Sequence, residues 1–207
     1  MNWNNYFCSL KDKINRFKLK NHSFSIISSN CNGALITHDL REQFRSPFVN
    51  LYLTPKDFIK FCKNIKFYLE KPLTFTSEEN LSFPVGVIED IKIYFVHYKS
   101  QQEALDKWET RKKRINFDNL FFMFSDKDGC TYEDLVEFDS LPYKNKVAFT
   151  NKRYKELKSC FYIKGYEKEE SAGELYKFTS KYLGRKGYDQ FNFVKWLNKG
   201  LKNKNKY

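Results

Sequence analysis

The chain alternates between short apolar runs and segments in which apolar residues recur at helical spacing. Runs rich in β-branched and aromatic residues predict strands at 24–29, 48–53, 119–124, 146–150 and 160–164. Helical periodicity follows the first three of these runs. Repeated alternation of strand and helix predicts an α/β fold: a three-layer, Rossmann-like, mostly parallel sheet with helices on both faces.

An antiparallel hairpin is predicted within this pattern. Its arms are 85–88 and 91–97, joined by a turn at Glu89-Asp90. A helix should follow, because Ser100 and Glu103 have the spacing of a capping box. Similar start signals predict helices after Thr54 and after Thr131.

The two ends of the chain differ from its centre. Residues 1–20 predict a basic amphipathic helix with Phe7, Leu10, Ile14 and Phe17 on one face, which either packs on the body or lies on anionic lipid. Residues 151–207 predict a mostly helical extension, with helices near 171–182 and 188–201. Because no linker or repeat divides the sequence, we expect residues 1–207 to form a single domain.

Composition narrows the class of protein. The formal net charge is +12, but no nucleic-acid motif accompanies it, so we expect no specific nucleic-acid partner. No run approaches the roughly 20 apolar residues that cross a bilayer, and the five cysteines are scattered without a C-x-x-C pair. These features predict a reduced, cytoplasmic protein and leave peripheral contact with the inner face of the membrane open.

Polar groups recur where predicted strands end, at 30–33, 97–100 and 125–130. Because the carboxyl ends of parallel strands share one edge of a sheet, we expect the three groups to line one crevice. The binding residues expected from this placement, together with two basic residues of the following helix, are Asn30, Cys31, Gly33, Tyr98, Lys99, Arg111 and Arg114. Arg111 and Arg114 are the expected phosphate ligands.

Asp126 and Asp128 form a D-x-D pair after a buried strand. Two carboxylates at this spacing suit Mg²⁺ or Mn²⁺ bridging the phosphates of a nucleotide sugar. Asp and Gly are also the preferred residues of turns, so "SDKDG" would serve as a plain connection to the next helix with no metal at all. Both interpretations stay open at this point.

Two further residues offer catalytic chemistry. His97, at the end of the hairpin, is a candidate general base. Cys130 lies at a predicted helix start, where the helix dipole would lower its pKa, and it could act as a thiolate nucleophile if His97 were within hydrogen-bond reach. With Asp126 and Asp128, these are the candidate catalytic residues.

Several stretches between Leu19 and Thr150, among them "SIISSNCNGALITHDL", "FPVGVIEDIKIYFVHYKSQQEALDKWETRKKRIN" and "DNLFFMFSDKDGCTYEDL", resemble a bacterial family of unknown function. Its members are often labelled exopolysaccharide or capsular polysaccharide biosynthesis proteins. The resemblance implies a role in surface polysaccharide assembly and supplies no catalytic residues. In that family the asparagine-cysteine loop continues with an aromatic residue and two glycines, whereas this chain has Asn32, Gly33 and Ala34.

Two functions are therefore expected. The first is a transferase acting on a sugar-phosphate or nucleotide-sugar substrate, with Mg²⁺ or Mn²⁺ as its metal if the aspartates bind one. The second is a non-catalytic binding or scaffold protein that recruits biosynthetic partners at the membrane surface.

Overall fold

A computed structural model of the protein describes residues 3–79, 81–179 and 183–202 and has a mixed α/β architecture. Its helices are α1 (Trp3–Lys18), α2 (Asn32–Asp39), α3 (Pro55–Lys63), α4 (Ile65–Glu70), α5 (Gln101–Lys112), α6 (Tyr132–Ser140) and α7 (Phe193–Lys202). Its strands are β1 (Ser25–Ser28), β2 (Thr74–Thr76), β3 (Val85–Ile88), β4 (Ile91–Tyr94), β5 (Leu120–Ser125), β6 (Lys146–Thr150) and β7 (Cys160–Tyr162). None of the helices in the described ranges is long and apolar enough to cross a membrane.

The main sheet is parallel throughout, in the order β1-β5-β6-β7. The α/β fold class expected from the sequence is confirmed. The predicted hairpin also forms, from β3 and β4, but it pairs with β2 in a separate antiparallel sheet.

The predicted strand at 48–53 is wrong. Its apolar pattern resembles a strand, but Asn50 has a φ of +60°, which interrupts the extended backbone. The segment instead links the two sheets: the Leu53 N–H donates to the Ser29 carbonyl at 3.0 Å, and Tyr52 pairs with Tyr94 in an isolated bridge.

The parallel sheet is buried on both faces, which accounts for the uniformly apolar sequence of β5. Phe122 and Phe124 point to one hydrophobic cluster, which also contains α3, α6 and the second sheet. Phe121 and Met123 point to the other, which contains residues of α2 and α7. The three layers of the prediction follow from this alternation.

The helix starts agree with the sequence signals. Thr54, Ser100 and Thr131 each accept a hydrogen bond from the backbone N–H three residues later, and Thr131 completes a capping box with Asp134. The helix expected from 54 onward is divided at Asn64, where the backbone leaves the helical region.

The C-terminal region is mostly irregular, so the prediction of a mostly helical extension is wrong. The described part of the predicted helix at 171–182 has no helical residue: it consists of turns, bends and irregular backbone, with an isolated bridge between Phe178 and Lys186. Gly173 has a φ of +65°, and the carbonyls of Leu175 and Lys177 accept from the N–H groups of Tyr188 and Gly187. Because these carbonyls bond to a distant segment, they are not used in a helix here. The last helix forms but begins only at Phe193.

Candidate functional site

A cleft of about 410 Å³ opens where the carboxyl ends of β1 and β5 meet the second sheet. All three polar groups singled out in the sequence contribute to it: Asn30, Cys31 and Asn32 after β1, His97 after β4, and Lys127 and Asp128 after β5. The group after β4 arrives from the antiparallel sheet rather than from the shared edge of the parallel one. The bridge between Tyr52 and Tyr94 places it there.

Asn30 ties the loops after β1 and β5 together. Its side-chain amide donates to the Ser125 hydroxyl at 2.9 Å, and its carbonyl oxygen accepts from the Asn32 N–H at 3.1 Å. Cys31 beside it directs its thiol at the Leu51 carbonyl, and burial raises the pKa of this thiol. Asn30 and Cys31 both line the cleft, as predicted. The hydrogen bonds of the Asn30 side chain stabilise the two loops that form this part of the cleft wall.

Gly33 does not line the cleft, which corrects its assignment as a binding residue. A Cβ atom at this position would lie 2.7 Å from Ile26 Cγ2 and 2.7 Å from Ser28 Cβ. Glycine therefore permits the close approach of α2 to β1. Its N–H donates to the Ser28 hydroxyl at 3.3 Å.

The two aspartates of the D-x-D pair, Asp126 and Asp128, have different surroundings. The Asp126 carboxylate accepts from the Ala172 N–H through Oδ1 and from the Asn151 N–H through Oδ2, both at 2.7 Å. It joins the loop after β5 to two C-terminal loops and is not among the residues lining the cleft. The assignment of Asp126 to catalysis or metal binding is corrected accordingly.

Asp128 lies in the cleft. Asp128 and Gly129 form the turn, with φ values of +59° and +82°. The Asp128 residue as a whole is exposed, but desolvation of its carboxylate by the surrounding cleft raises the pKa of this carboxyl, and the charge of Lys127 opposes that rise. Within the described residues, no group of three or more histidine, cysteine, aspartate or glutamate side chains could hold a metal ion. The expected Mg²⁺ or Mn²⁺ pair of ligands is thus reduced to Asp128 alone.

An ion pair closes one side of the cleft. The Lys127 ammonium contacts the Glu174 carboxylate. Burial alone would lower the pKa of Lys127, but the hydrogen bond with Glu174 and the negative charges of Glu174 and Asp128 together outweigh burial and raise that pKa. Lys127 is therefore held in its charged form inside the cleft.

Some residues that line the cleft lie outside the polar groups predicted from the sequence. Asn50 and Tyr52 come from the segment that links the sheets, and Gly173, Glu174, Leu175 and Tyr176 come from the C-terminal loop that was expected to be helical. The Tyr52 ring stacks on Tyr94 with centroids 4.6 Å apart. The asparagine inside the apolar run 48–53 was the available signal for the first of these segments.

Tyr98 does not line the cleft but contacts a segment that does. It is buried, and its hydroxyl donates to the Val49 carbonyl at 2.7 Å and accepts from Arg111 Nη1 at 2.6 Å. These bonds position the segment that carries Asn50 and Tyr52. His97, by contrast, is exposed in the turn after β4, and Lys99 is exposed outside the cleft. The binding assignments of Tyr98 and Lys99 are corrected.

Arg111 and Arg114 line a different groove, of about 470 Å³, beside Phe44 and Glu103. The Arg111 guanidinium lies over the Phe44 ring, 5.5 Å from its centroid. Neither arginine is among the lining residues of the main cleft, so their expected role as phosphate ligands there is corrected.

Cys130 is not a thiolate. Its side chain packs against the hydrophobic cluster, and burial, followed by the charges of Asp134 and Asp126, raises its pKa to about 12. Desolvation outweighs the helix dipole on which the prediction rested. Cys130 and His97 do not share the cleft, so the predicted nucleophile and base are not brought together.

These features define an α/β protein with a polar, tyrosine-bearing cleft where its two sheets meet. Residues 2–198 match the family described as Domain of unknown function (DUF1919), and the chain belongs to that family. It is 52% identical over 181 residues to a Haemophilus influenzae relative named "Uncharacterized protein", with 87% of each chain covered. The resemblance to a family of unknown function is thereby confirmed.

Proposed function

We propose that the cleft binds a sugar and that the protein is a transferase using a nucleotide- or phosphate-activated sugar in the assembly of bacterial surface polysaccharide. The observation that carries the proposal is the presence of tyrosines, amides, two carboxylates and a histidine together in one cleft. Its volume of about 410 Å³ lies within the range of small-molecule sites. The resemblance noted in the sequence supports the polysaccharide context.

The lining suits a sugar ring. Hydroxyl groups both donate and accept hydrogen bonds, as do side-chain amides. The side chains of Asn32 and Asn50 make no hydrogen bond within the described ranges, which leaves their amides for a ligand. Tyr52 and Tyr176 add amphipathic aromatic surface, against which the C–H groups of a sugar can pack.

Lys127, rather than Arg111 or Arg114, binds the phosphate of the substrate. It is the one lysine or arginine among the described residues that line this cleft. A ligand phosphate would compete with Glu174 for its ammonium group. The amino terminus of α2 begins at Asn32, and its dipole favours a negative group on the same side.

His97 is the general base of the transfer, and Asp128 orients the donor sugar. His97 accepts the proton of the acceptor hydroxyl, whose oxygen attacks the anomeric carbon while the activating phosphate leaves with its bonding electrons. Asp128 accepts hydrogen bonds from sugar hydroxyls and so orients the donor. Both side chains belong to the cleft lining.

Nucleotide release from a panel of nucleotide sugars, with oligosaccharide acceptors present, tests the proposal. His97→Gln should lose turnover by about 100-fold or more, the usual scale of a missing general base. His38→Gln is the matched control, because His38 is exposed and lies outside the cleft. Equal turnover in wild type and His97→Gln would remove His97 from the mechanism, and binding without any turnover would favour a non-catalytic sugar-binding protein.

A further inference from the structure

Helix α1 docks on the body by its polar face and turns its apolar stripe to solvent. Leu10 and Ile14 are 47% and 45% exposed, and Phe17 is 91% exposed. At about 100° per residue these positions fall on one side of the helix. An amphipathic helix packed on a domain normally has the reverse orientation.

The docked face holds the helix through polar contacts. Lys11 forms an ion pair with Asp189, and Arg16 donates to the Asp39 carbonyl at 3.4 Å. Asp12 also faces the body, where burial raises its pKa. The helix thus packs on the body, as in one of the two alternatives expected from the sequence, and its apolar stripe is not needed for this docking.

The outward face is basic as well as apolar. Lys13 and Lys18 are exposed and lie on either side of the stripe. Asp12 is the single acidic residue in the sequence of α1, and it points inward. The exposed side of the helix thus combines three large apolar residues with charge of one sign.

We propose that α1 lies in the plane of an anionic lipid surface. Leu10, Ile14 and Phe17 enter the boundary between headgroups and acyl chains, and Lys13 and Lys18 contact lipid phosphates. This is the geometry of helices bound at membrane interfaces. The net charge of +12 adds attraction to such a surface.

A lipid fits this face better than a second copy of the chain. Two copies paired through the stripe would bring Lys13 and Lys18 of each against the same cations of the other. Like charges that approach in this way oppose association, whereas lipid phosphates neutralise them.

Vesicle co-sedimentation of the full chain tests the proposal. We expect binding to vesicles that contain phosphatidylglycerol, little binding to vesicles of phosphatidylcholine alone, and release as salt rises. Phe17→Gln should weaken binding by more than about tenfold, because burying such a side chain contributes roughly 1.5–3 kcal/mol and 1.4 kcal/mol is a factor of ten. The double variant Lys13→Gln/Lys18→Gln should weaken it by about tenfold or more.

Phe117→Gln is the matched control, since Phe117 is 44% exposed outside α1 and this variant should bind as the wild type does. Unfolding temperatures measured without lipid check that each variant folds. Equal binding to both vesicle types, or unchanged binding by Phe17→Gln, would overturn the proposal. So would concentration-dependent dimers, without lipid, that Phe17→Gln abolishes, because a second copy would then cover the stripe.

Discussion

Replacing Asp126 by asparagine tests whether this carboxylate connects loops or serves chemistry. Both oxygens accept backbone N–H groups at 2.7 Å, from Ala172 and Asn151. Asparagine preserves the shape but turns an NH₂ group toward one of these donors. One hydrogen bond is lost and two donors face each other.

The loss of stability in Asp126→Asn follows from the hydrogen bonds that the carboxylate accepts. A hydrogen bond to a charged group contributes about 1.5–3 kcal/mol. Burial raises the pKa of Asp126, which shows that the ionised carboxylate also has a desolvation cost, and neutral asparagine avoids that cost. We therefore expect Asp126→Asn to lower the free energy of unfolding by about 2 kcal/mol. In a chain of this size that corresponds to a fall in Tm of roughly 4–8 °C.

Asp128→Asn is the matched control, made only two positions away. Asp128 is exposed, its side chain makes no hydrogen bond within the described residues, and asparagine tolerates its positive φ. Its stability should stay within about 0.5 kcal/mol of wild type. Thermal and urea unfolding followed by circular dichroism measure both variants. Equal stability of Asp126→Asn and wild type would refute the loop-connecting role, and stabilisation by Mn²⁺ that either variant abolishes would restore the metal interpretation.

Three further predictions concern residues around the cleft. The pKa of Cys130 is about 12 rather than 9.0, so at pH 8 its side chain should contain about 1,000-fold less thiolate than an ordinary thiol. Mass spectrometry after brief iodoacetamide treatment should therefore find Cys130 unmodified. Rapid alkylation of Cys130 would contradict its burial. Tyr98→Phe should cost about 1–3 kcal/mol in urea unfolding, because the Val49 carbonyl and Arg111 lose their shared hydroxyl, whereas a loss below about 0.5 kcal/mol would show that the hydroxyl is dispensable. Gly33→Ala should cost about 1–3 kcal/mol by overpacking α2 against β1, and an unchanged Tm would contradict the 2.7 Å approach.

Local signals predicted most of the fold. The caps at Thr54, Ser100 and Thr131 depend on residues three positions apart, so the sequence contains the whole interaction. The expectation that polar loops would share a cleft rested on a general property of parallel sheets, and the structure brings 30–32 and 127–128 together. These predictions required no knowledge of distant contacts.

The parts that could not be predicted depend on distant contacts. The segment at 172–177 has helical composition, but Asp126 accepts a hydrogen bond from the Ala172 N–H. The carbonyls of Leu175 and Lys177 accept from the N–H groups of Tyr188 and Gly187 instead of from a following helical turn. The sequence of α1 shows an apolar stripe without showing which face docks, because the contacts with Asp39 and Asp189 are remote in the chain. Burial likewise raises the pKa of Cys130, whereas the helix start in the sequence predicted a lowered pKa.

Thermal unfolding of wild type and Asp128→Asn with a panel of nucleotide sugars tests the central claim most directly. A ligand at a hundred times its Kd stabilises the native state by about 2.7 kcal/mol, which corresponds to a rise in Tm of roughly 5–11 °C. We predict such a rise for at least one nucleotide sugar with wild type and a clearly smaller one with Asp128→Asn. No rise with any member of the panel, or an equal rise in both proteins, would contradict a sugar-binding site in this cleft.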